Sequence, residues 1–168
     1  MKKEDFAFNE ISALSIQAAI ALLRTVYITQ DLAQRKKWRN KVRGVLRKLK
    51  DSEIKDNIEC IRKFIYDTSD EVLQNGKLSF GIAQKIVNIF LKYCWSLGWK
   101  KEAPLACPID SYILKSLRDS GFKETLKQIP VWSKMQETDY KIVLSCIEEV
   151  SKGNPAEWEL KEWEGLIQ

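Results

Sequence analysis

The sequence predicts an all-α protein. It holds only 7 Gly and 4 Pro in 168 residues, and stretches in which apolar and polar residues strictly alternate are scarce. Apolar side chains instead recur every three or four residues, which is the spacing of one face of an α-helix. We therefore predict one domain over residues 1–168, with about seven or eight helices. Two lobes that share one core are the alternative arrangement.

The most apolar stretch predicts a buried central helix. From Ile82 to Leu97 almost every residue is apolar, and Gly98 is a plausible stop. Gln84 and a few other polar residues interrupt this stretch at helical spacing: Lys85, Asn88, Lys92 and Ser96. They fall on one narrow stripe of the helix. We expect this stripe to be the only solvent-exposed face, with Lys85 near its start.

Asp110 is predicted to be the N-cap of the following helix. It precedes apolar residues at helical spacing up to Leu117, and Gly121 closes the segment. An aspartate in this place accepts hydrogen bonds from the first backbone N–H groups of the helix.

The flanking segments predict the remaining helices. Their expected ranges are Glu10 to about Ile28 with Asn9 as N-cap, Asp31 to about Lys50, Ser52 to about Leu73, Thr138 to about Lys152, and a last helix after Asn154-Pro155. We expect Met1–Glu10 to be a loosely held lead-in.

The second predicted helix is densely basic. Besides Lys48 and Lys50, its cationic residues are Arg35, Lys36, Lys37, Arg39, Lys41, Arg43 and Arg47. Such a concentration of charge indicates a surface that faces nucleic-acid phosphates. An amphipathic helix that is lysine-rich for solubility, or one that meets the acidic C-terminal segment, explains the charge equally well. A membrane-surface helix fits less well, because its apolar stripe resembles core and is interrupted by Gly44.

Composition argues against a metal site and a membrane span. The four cysteines are widely spaced, no C-x-x-C pair occurs and the chain has no histidine. We therefore expect free thiols in a reducing compartment, with no cofactor and no iron–sulfur cluster. The apolar run Ile11–Leu23 is too short to span a bilayer, and we recognise no signal peptide. These features predict a cytoplasmic protein.

Two short motifs carry a resemblance to a known family. The octapeptide Gly81-Ile82-Ala83-Gln84-Lys85-Ile86-Val87-Asn88 resembles the hairpin-and-helix core of the helix-hairpin-helix DNA glycosylases, which include endonuclease III and the 8-oxoguanine glycosylases. Pro108-Ile109-Asp110 resembles the short apolar–Asp element at the start of the next helix in that family. The resemblance covers Lys77–Leu117. It departs from the family at Ala83, where a second glycine is usual, and in the absence of histidine.

The resemblance implies a bifunctional glycosylase and lyase that acts on DNA. Lys85 would be the amine that attacks C1′ of the damaged nucleotide and forms a Schiff base. Asp110 would be the carboxylate that assists base departure and proton transfer. The hairpin Ser79–Ala83, including Gly81 and Ala83, would present backbone N–H groups to a DNA phosphate.

The same residues allow less specific interpretations. Lys85 can be a lysine that reaches out of a core helix, and Asp110 an ordinary N-cap. Aromatic residues that stack on an extruded base in one interpretation belong to the core in the other: Trp99, Trp132 and Tyr112. The alternative function is therefore a catalytically inactive helical module that binds nucleic acid or a protein. A protein partner would use the acidic, Trp-bearing C-terminal helix.

Overall fold

The computed structural model describes residues 3–21, 23 and 25–167, and these residues confirm the all-α prediction. They form seven α-helices: α1 (Lys3–Ile20), α2 (Leu32–Asp51), α3 (Asn57–Thr68), α4 (Phe80–Ser96), α5 (Ser111–Leu117), α6 (Glu137–Ser151) and α7 (Pro155–Ile167). Two 3-10 turns and a π-type turn complete the described part: Gln74–Gly76, Trp132–Lys134 and Arg118–Phe122. None of the described helices is both long and apolar enough to traverse a bilayer.

Helix α4 lies at the centre of the molecule, as the sequence predicts. It contacts α1, α2, α3, α6 and the turn Trp132–Lys134. Its apolar side chains fill the middle of the core, where Ile86, Val87 and Phe90 have no exposed surface. The hydroxyl of Ser79 caps the helix by accepting a hydrogen bond from the backbone N–H of Ile82 at 3.2 Å.

The polar stripe of α4 is covered from Gln84 to Lys92, so the prediction of a solvent-exposed face is wrong there and holds only at its end, where Ser96 is exposed. Gln84 and Asn88 are fully buried, and the side chains of Lys85 and Lys92 are only 13% and 17% exposed. The stripe faces residues 107–110 and α7, which supply hydrogen-bond partners for the amides and carboxylates for the lysines. Buried polar side chains need such partners to offset the loss of water.

The first helix begins and ends earlier than predicted, so Asn9 is not its N-cap and the lead-in prediction is wrong from Lys3 onward. The predicted range also passes through Leu22 and Arg24, which lie outside the described residues. Residues 25–28, which the prediction placed in the helix, instead lie in turn, bend and bridge conformations. There the N–H of Ile28 donates to the carbonyl of Val72 at 3.0 Å, and the N–H of Gln74 donates to that of Val26 at 2.8 Å. This long-range pairing replaces the helical hydrogen bonds.

Aspartate caps set the starts of three helices. Asp31, the predicted first residue of the second helix, is the N-cap of α2 and accepts from the N–H of Ala33 at 2.8 Å. Asp56 accepts from Ile58 and Glu59 at 2.8 and 3.0 Å, so α3 begins later than the predicted Ser52. The third cap is Asp110 of α5, which is also as predicted.

Helix α7 is attached to α4 by a buried ion pair. Glu159 is 1% exposed, and its Oε1 lies 2.8 Å from Nζ of Lys92. Its Oε2 has no hydrogen-bond partner among the described residues. Burial raises the pKa of Glu159, and the attraction of Lys92 offsets part of that effect. The ionised form of Glu159 is therefore less favourable in the folded protein than in water.

The Glu159 pKa predicts a pH-dependent effect of Glu159→Gln. A carboxyl group whose pKa is higher in the folded state favours folding below its unfolded pKa and loses that contribution as pH rises through the folded pKa. The neutral glutamine does not titrate. We expect Glu159→Gln to gain stability relative to wild type as pH rises from about 4 to 7, measured by urea unfolding across that range.

The matched control is Glu157→Gln, which removes one negative charge from the exposed side of the same helix. If Glu159→Gln instead loses stability relative to wild type as pH rises, the attraction of Lys92 has a larger effect on the Glu159 pKa than burial has.

Candidate active site

The fold brings Lys85 and Asp110 together from α4 and the start of α5. Lys85 Nζ lies 3.5 Å from Asp110 Oδ2, and the two side chains are 13% and 15% exposed. This separation is that of an ion pair and exceeds that of a short hydrogen bond. An amine and a carboxylate that are close together and largely shielded from water form a pair with potential for proton transfer and nucleophilic attack.

Asp110 combines its capping role with its contact to the lysine. Its Oδ1 accepts hydrogen bonds from the backbone N–H groups of Tyr112 and Ile113 at 3.0 and 3.1 Å. Its Oδ2 points to Lys85. The N-cap and the site interpretations are therefore compatible, because each uses a different oxygen of the same carboxylate.

Trp132 forms the third side of the site. Lys85 Nζ lies 4.3 Å from the centre of its ring, a cation–π contact. Gly81 makes this possible one helical turn before Lys85. A Cβ atom on Gly81 would lie 1.8 Å from the carbonyl oxygen of Trp132. Gly81 therefore allows the Trp132 backbone to rest directly on α4, which places the indole over the amine.

The predicted hairpin over Ser79–Ala83 is not formed. Gly81 and Ala83 lie in the first turns of α4 and are buried. Their N–H groups already donate to Met135 and Ser79 carbonyls, both at 3.0 Å. The expectation that Gly81 and Ala83 present free N–H groups to a phosphate is therefore wrong for this conformation. The glycine serves close packing, and the amides are used within the fold.

Gln84 pairs with the segment that carries Asp110, a contact that sequence reasoning missed. Its Nε2 donates to the carbonyl of Ile109 at 2.7 Å, and the N–H of Ile109 donates to its Oε1 at 3.1 Å. Gln84 precedes Lys85 and Ile109 precedes Asp110, so two adjacent contacts join α4 to this segment. A glutamine inside an apolar helix is the signal that the sequence offers, but no neighbouring residue indicates which group the glutamine pairs with.

Asn88 extends the buried hydrogen-bond network. Its Nδ2 donates to the Cys107 carbonyl at 3.2 Å, and its Oδ1 accepts from Asn57 Nδ2 at 2.8 Å. The Tyr140 hydroxyl donates to Asn57 Oδ1 at 2.5 Å. Burial raises the pKa of Tyr140, so its hydroxyl remains a donor at ordinary pH. The network joins α3, α4, α6 and the segment before α5, so Asn88 has a structural role.

The other two aromatic candidates contact different residues. The ring of Trp99 lies 4.9 Å from Lys50 Nζ. Tyr112 packs against Trp163 of α7, with ring centres 5.3 Å apart. Of the three aromatic residues singled out in the sequence, Trp132 is the one whose ring contacts Lys85.

Most of the basic residues of α2 contact their own chain. Arg35 and Arg39 contact Tyr27, Lys41 pairs with Asp70, and Arg47 pairs with Asp5 and lies over Phe8. Arg43 is half-buried. Lys36 and Lys37 are exposed and form neither hydrogen bonds nor ion pairs with the residues that the structure describes. The helix retains cationic surface, although much of its charge is paired.

The four cysteine thiols are free. Burial raises the pKa of Cys60 and of Cys94 to about 11, and raises that of Cys107 further. Because the thiolate is the nucleophilic form, these three residues are poorly suited to covalent catalysis at neutral pH. Within the described ranges no three His, Cys, Asp or Glu residues form a group that could hold a metal ion.

Three surface clefts lie next to other elements. The largest, about 780 Å³, is bordered by α2 and α3 and includes Val45, Leu49 and Phe64. A second, of about 630 Å³, lies beside the start of α4, and a third, of about 610 Å³, near the start of α7. None of the three is lined by Lys85 or Asp110.

Comparisons with protein-family models, curated proteins and solved structures find no match to this chain.

The close approach at Gly81 predicts that Gly81→Ala is destabilising. The added methyl group collides with a backbone oxygen, so the Trp132–Lys134 turn has to move away from α4. We expect a loss of about 1–3 kcal/mol in the free energy of unfolding, measured by urea denaturation.

Gly44→Ala is the control, because no atom lies within 4 Å of a Cβ built on that helical glycine. It should raise stability by about 0.5–1 kcal/mol. Equal effects of the two substitutions would contradict the packing role of Gly81.

Proposed function

We propose that this chain is a DNA-binding protein that acts as a base-excision glycosylase with lyase activity. Lys85 is the nucleophile and Asp110 the assisting carboxylate in this proposal. The observation that carries it is the shielded Lys85–Asp110 pair at 3.5 Å, formed by the two residues that the motif resemblance selects. A reducing, cytoplasmic location belongs to the same proposal, in keeping with four free thiols.

The chemistry requires a neutral amine next to a proton acceptor. A proton first passes from the Lys85 ammonium to Asp110 Oδ2. The neutral Nζ then forms a bond to C1′ of the nucleotide, while the bond from C1′ to the base breaks with its electron pair leaving on the base, which takes up the proton from Asp110. The substituted nitrogen loses a second proton to the regenerated carboxylate, and this proton passes to the ring oxygen as the sugar ring opens to give the protonated Schiff base. Asp110 remains anchored meanwhile, because Oδ1 holds the start of α5.

Trp132 must move for this reaction. Its ring lies over the amine, and the amine and carboxylate expose little surface. A nucleotide that approaches Nζ therefore has to displace the indole, which then becomes a surface on which an extruded base can stack.

Helix α2 supplies cationic surface for the DNA backbone in this proposal. Lys36 and Lys37 are the simplest phosphate ligands, because they are exposed and unpaired within the described residues. Arg39, Lys41 and Arg47 are also exposed, but each would first give up an interaction with its own chain. Their attraction for DNA should depend strongly on salt.

A catalytically inactive nucleic-acid- or protein-binding module is the second candidate. It is favoured by the low exposure of Lys85 and Asp110, whose side chains are 13% and 15% exposed and paired with each other. Helix α7 directs Trp158 and Glu159 toward its own chain and leaves Glu157, Lys161 and Glu164 exposed. In this candidate the ion pair only stabilises the fold.

Borohydride trapping on duplexes that contain an abasic site or 8-oxoguanine tests the proposed lyase. We expect wild type to form a covalent adduct and Lys85→Arg to form none, because arginine keeps the charge but lacks a primary amine. The readout is a slower-migrating protein band on a denaturing gel.

Lys92→Arg is the matched control, since Lys92 is a similarly shielded lysine on the same helix that also pairs with a carboxylate. It should retain the adduct. Trapping that survives Lys85→Arg would mean that other lysines react, and absence of any wild-type adduct with both duplexes would favour the inactive module.

The role of α2 predicts a change in salt dependence. In the double variant Lys36→Gln/Lys37→Gln, the slope of log affinity against log salt should become shallower by about 0.9 for each phosphate that is no longer neutralised. Fluorescence anisotropy with a labelled duplex at several salt concentrations measures it.

The double variant Lys123→Gln/Lys127→Gln removes the same charge from exposed residues outside α2. An equal change of slope in both double variants would assign the effect to net charge and contradict a specific role for α2.

A further inference from the structure

The side chain of Gln84 is joined to the backbone of Ile109 by two hydrogen bonds. Nε2 donates to the Ile109 carbonyl at 2.7 Å, and the Ile109 N–H donates to Oε1 at 3.1 Å. Both residues are fully buried. The amide therefore pairs with the backbone of one residue through its donor and its acceptor, which restricts rotation as well as distance.

These two hydrogen bonds lie next to the Lys85–Asp110 pair. Gln84 and Lys85 are consecutive on a rigid helix, and Ile109 and Asp110 are consecutive in an extended segment. Asp110 is held on its other side by the N–H groups of Tyr112 and Ile113. Without the Gln84 bonds, the one direct hydrogen bond left between the side-chain amides of α4 and this segment, among the residues that the structure describes, runs from Asn88 to the Cys107 carbonyl.

We infer that Gln84 is the positioning residue of the site, which sets the distance and direction of Asp110 relative to Lys85. The inference rests on the proposed function. The glutamine does not touch the reacting atoms. It acts through the backbone of Ile109, and a displacement of about 1 Å at a reacting group is enough to lower a rate on the order of 100-fold.

Gln84→Met tests this role, because methionine is similar in size and forms neither bond. Tyr140→Phe is the matched control: it removes a hydroxyl from the same buried network without touching Ile109. We expect the rate of adduct formation at saturating DNA to fall about 10- to 100-fold in Gln84→Met. The dissociation constant for DNA should not change, and Tyr140→Phe should keep the wild-type rate.

A second readout reports the lysine–carboxylate pair without any catalysis. Reductive methylation by formaldehyde and dimethylamine–borane, followed at the Lys85 peptide by mass spectrometry, should be severalfold faster in Asp110→Asn than in wild type. Gln84→Met should shift toward the Asp110→Asn rate, and Tyr140→Phe should not. Should Gln84→Met fail to fold, Gln84→Asn retains an amide that is too short to form both bonds, and the same shifts are expected.

Different results would contradict the positioning role of Gln84 and the proposed function. If wild type forms an adduct while the Gln84 variants match Tyr140→Phe in both rates, the positioning role is overturned and the proposed function stands. If wild type forms no adduct, the proposed function fails. The methylation rates then decide on their own whether Gln84 holds Asp110 against Lys85.

Discussion

The arrangement of the site depends on the buried amides of α4. Gln84 pairs with the Ile109 backbone, and Asn88 bonds the Cys107 carbonyl, Asn57 and Tyr140. Each of these groups is shielded from water, so an unmade bond would leave a polar atom unsatisfied at a cost of about 1–3 kcal/mol. This constraint selects the path of the chain before α5, and that path delivers Asp110 to Lys85.

The elements that local sequence signals determine were predictable. An apolar run with helical spacing identified α4, and an aspartate at a helix start identified the cap of α5. Capping and periodicity act within a few residues of the chain, so their consequences can be recognised before the fold is known.

Long-range packing decided the features that could not be predicted. The polar residues of α4 repeat at helical spacing, as they would on a solvent-exposed face, but α7 and the segment before α5 cover those from Gln84 to Lys92. The glycine of the supposed hairpin serves contact with Trp132, which is distant in the sequence. Likewise α1 ends early, because Val26 and Ile28 bond to Gln74 and Val72. In each case the residues that determine the local structure are distant in the sequence, and no local motif identifies them.

The proposed function depends on Lys85 being the reactive amine. Wild-type protein can be trapped on abasic duplex DNA with borohydride, the adduct digested and the DNA-linked residue identified by mass spectrometry. We expect attachment at Lys85, in the peptide from α4. Attachment at the exposed lysines of α2 or at the amino terminus would contradict it, and so would the absence of any linked peptide.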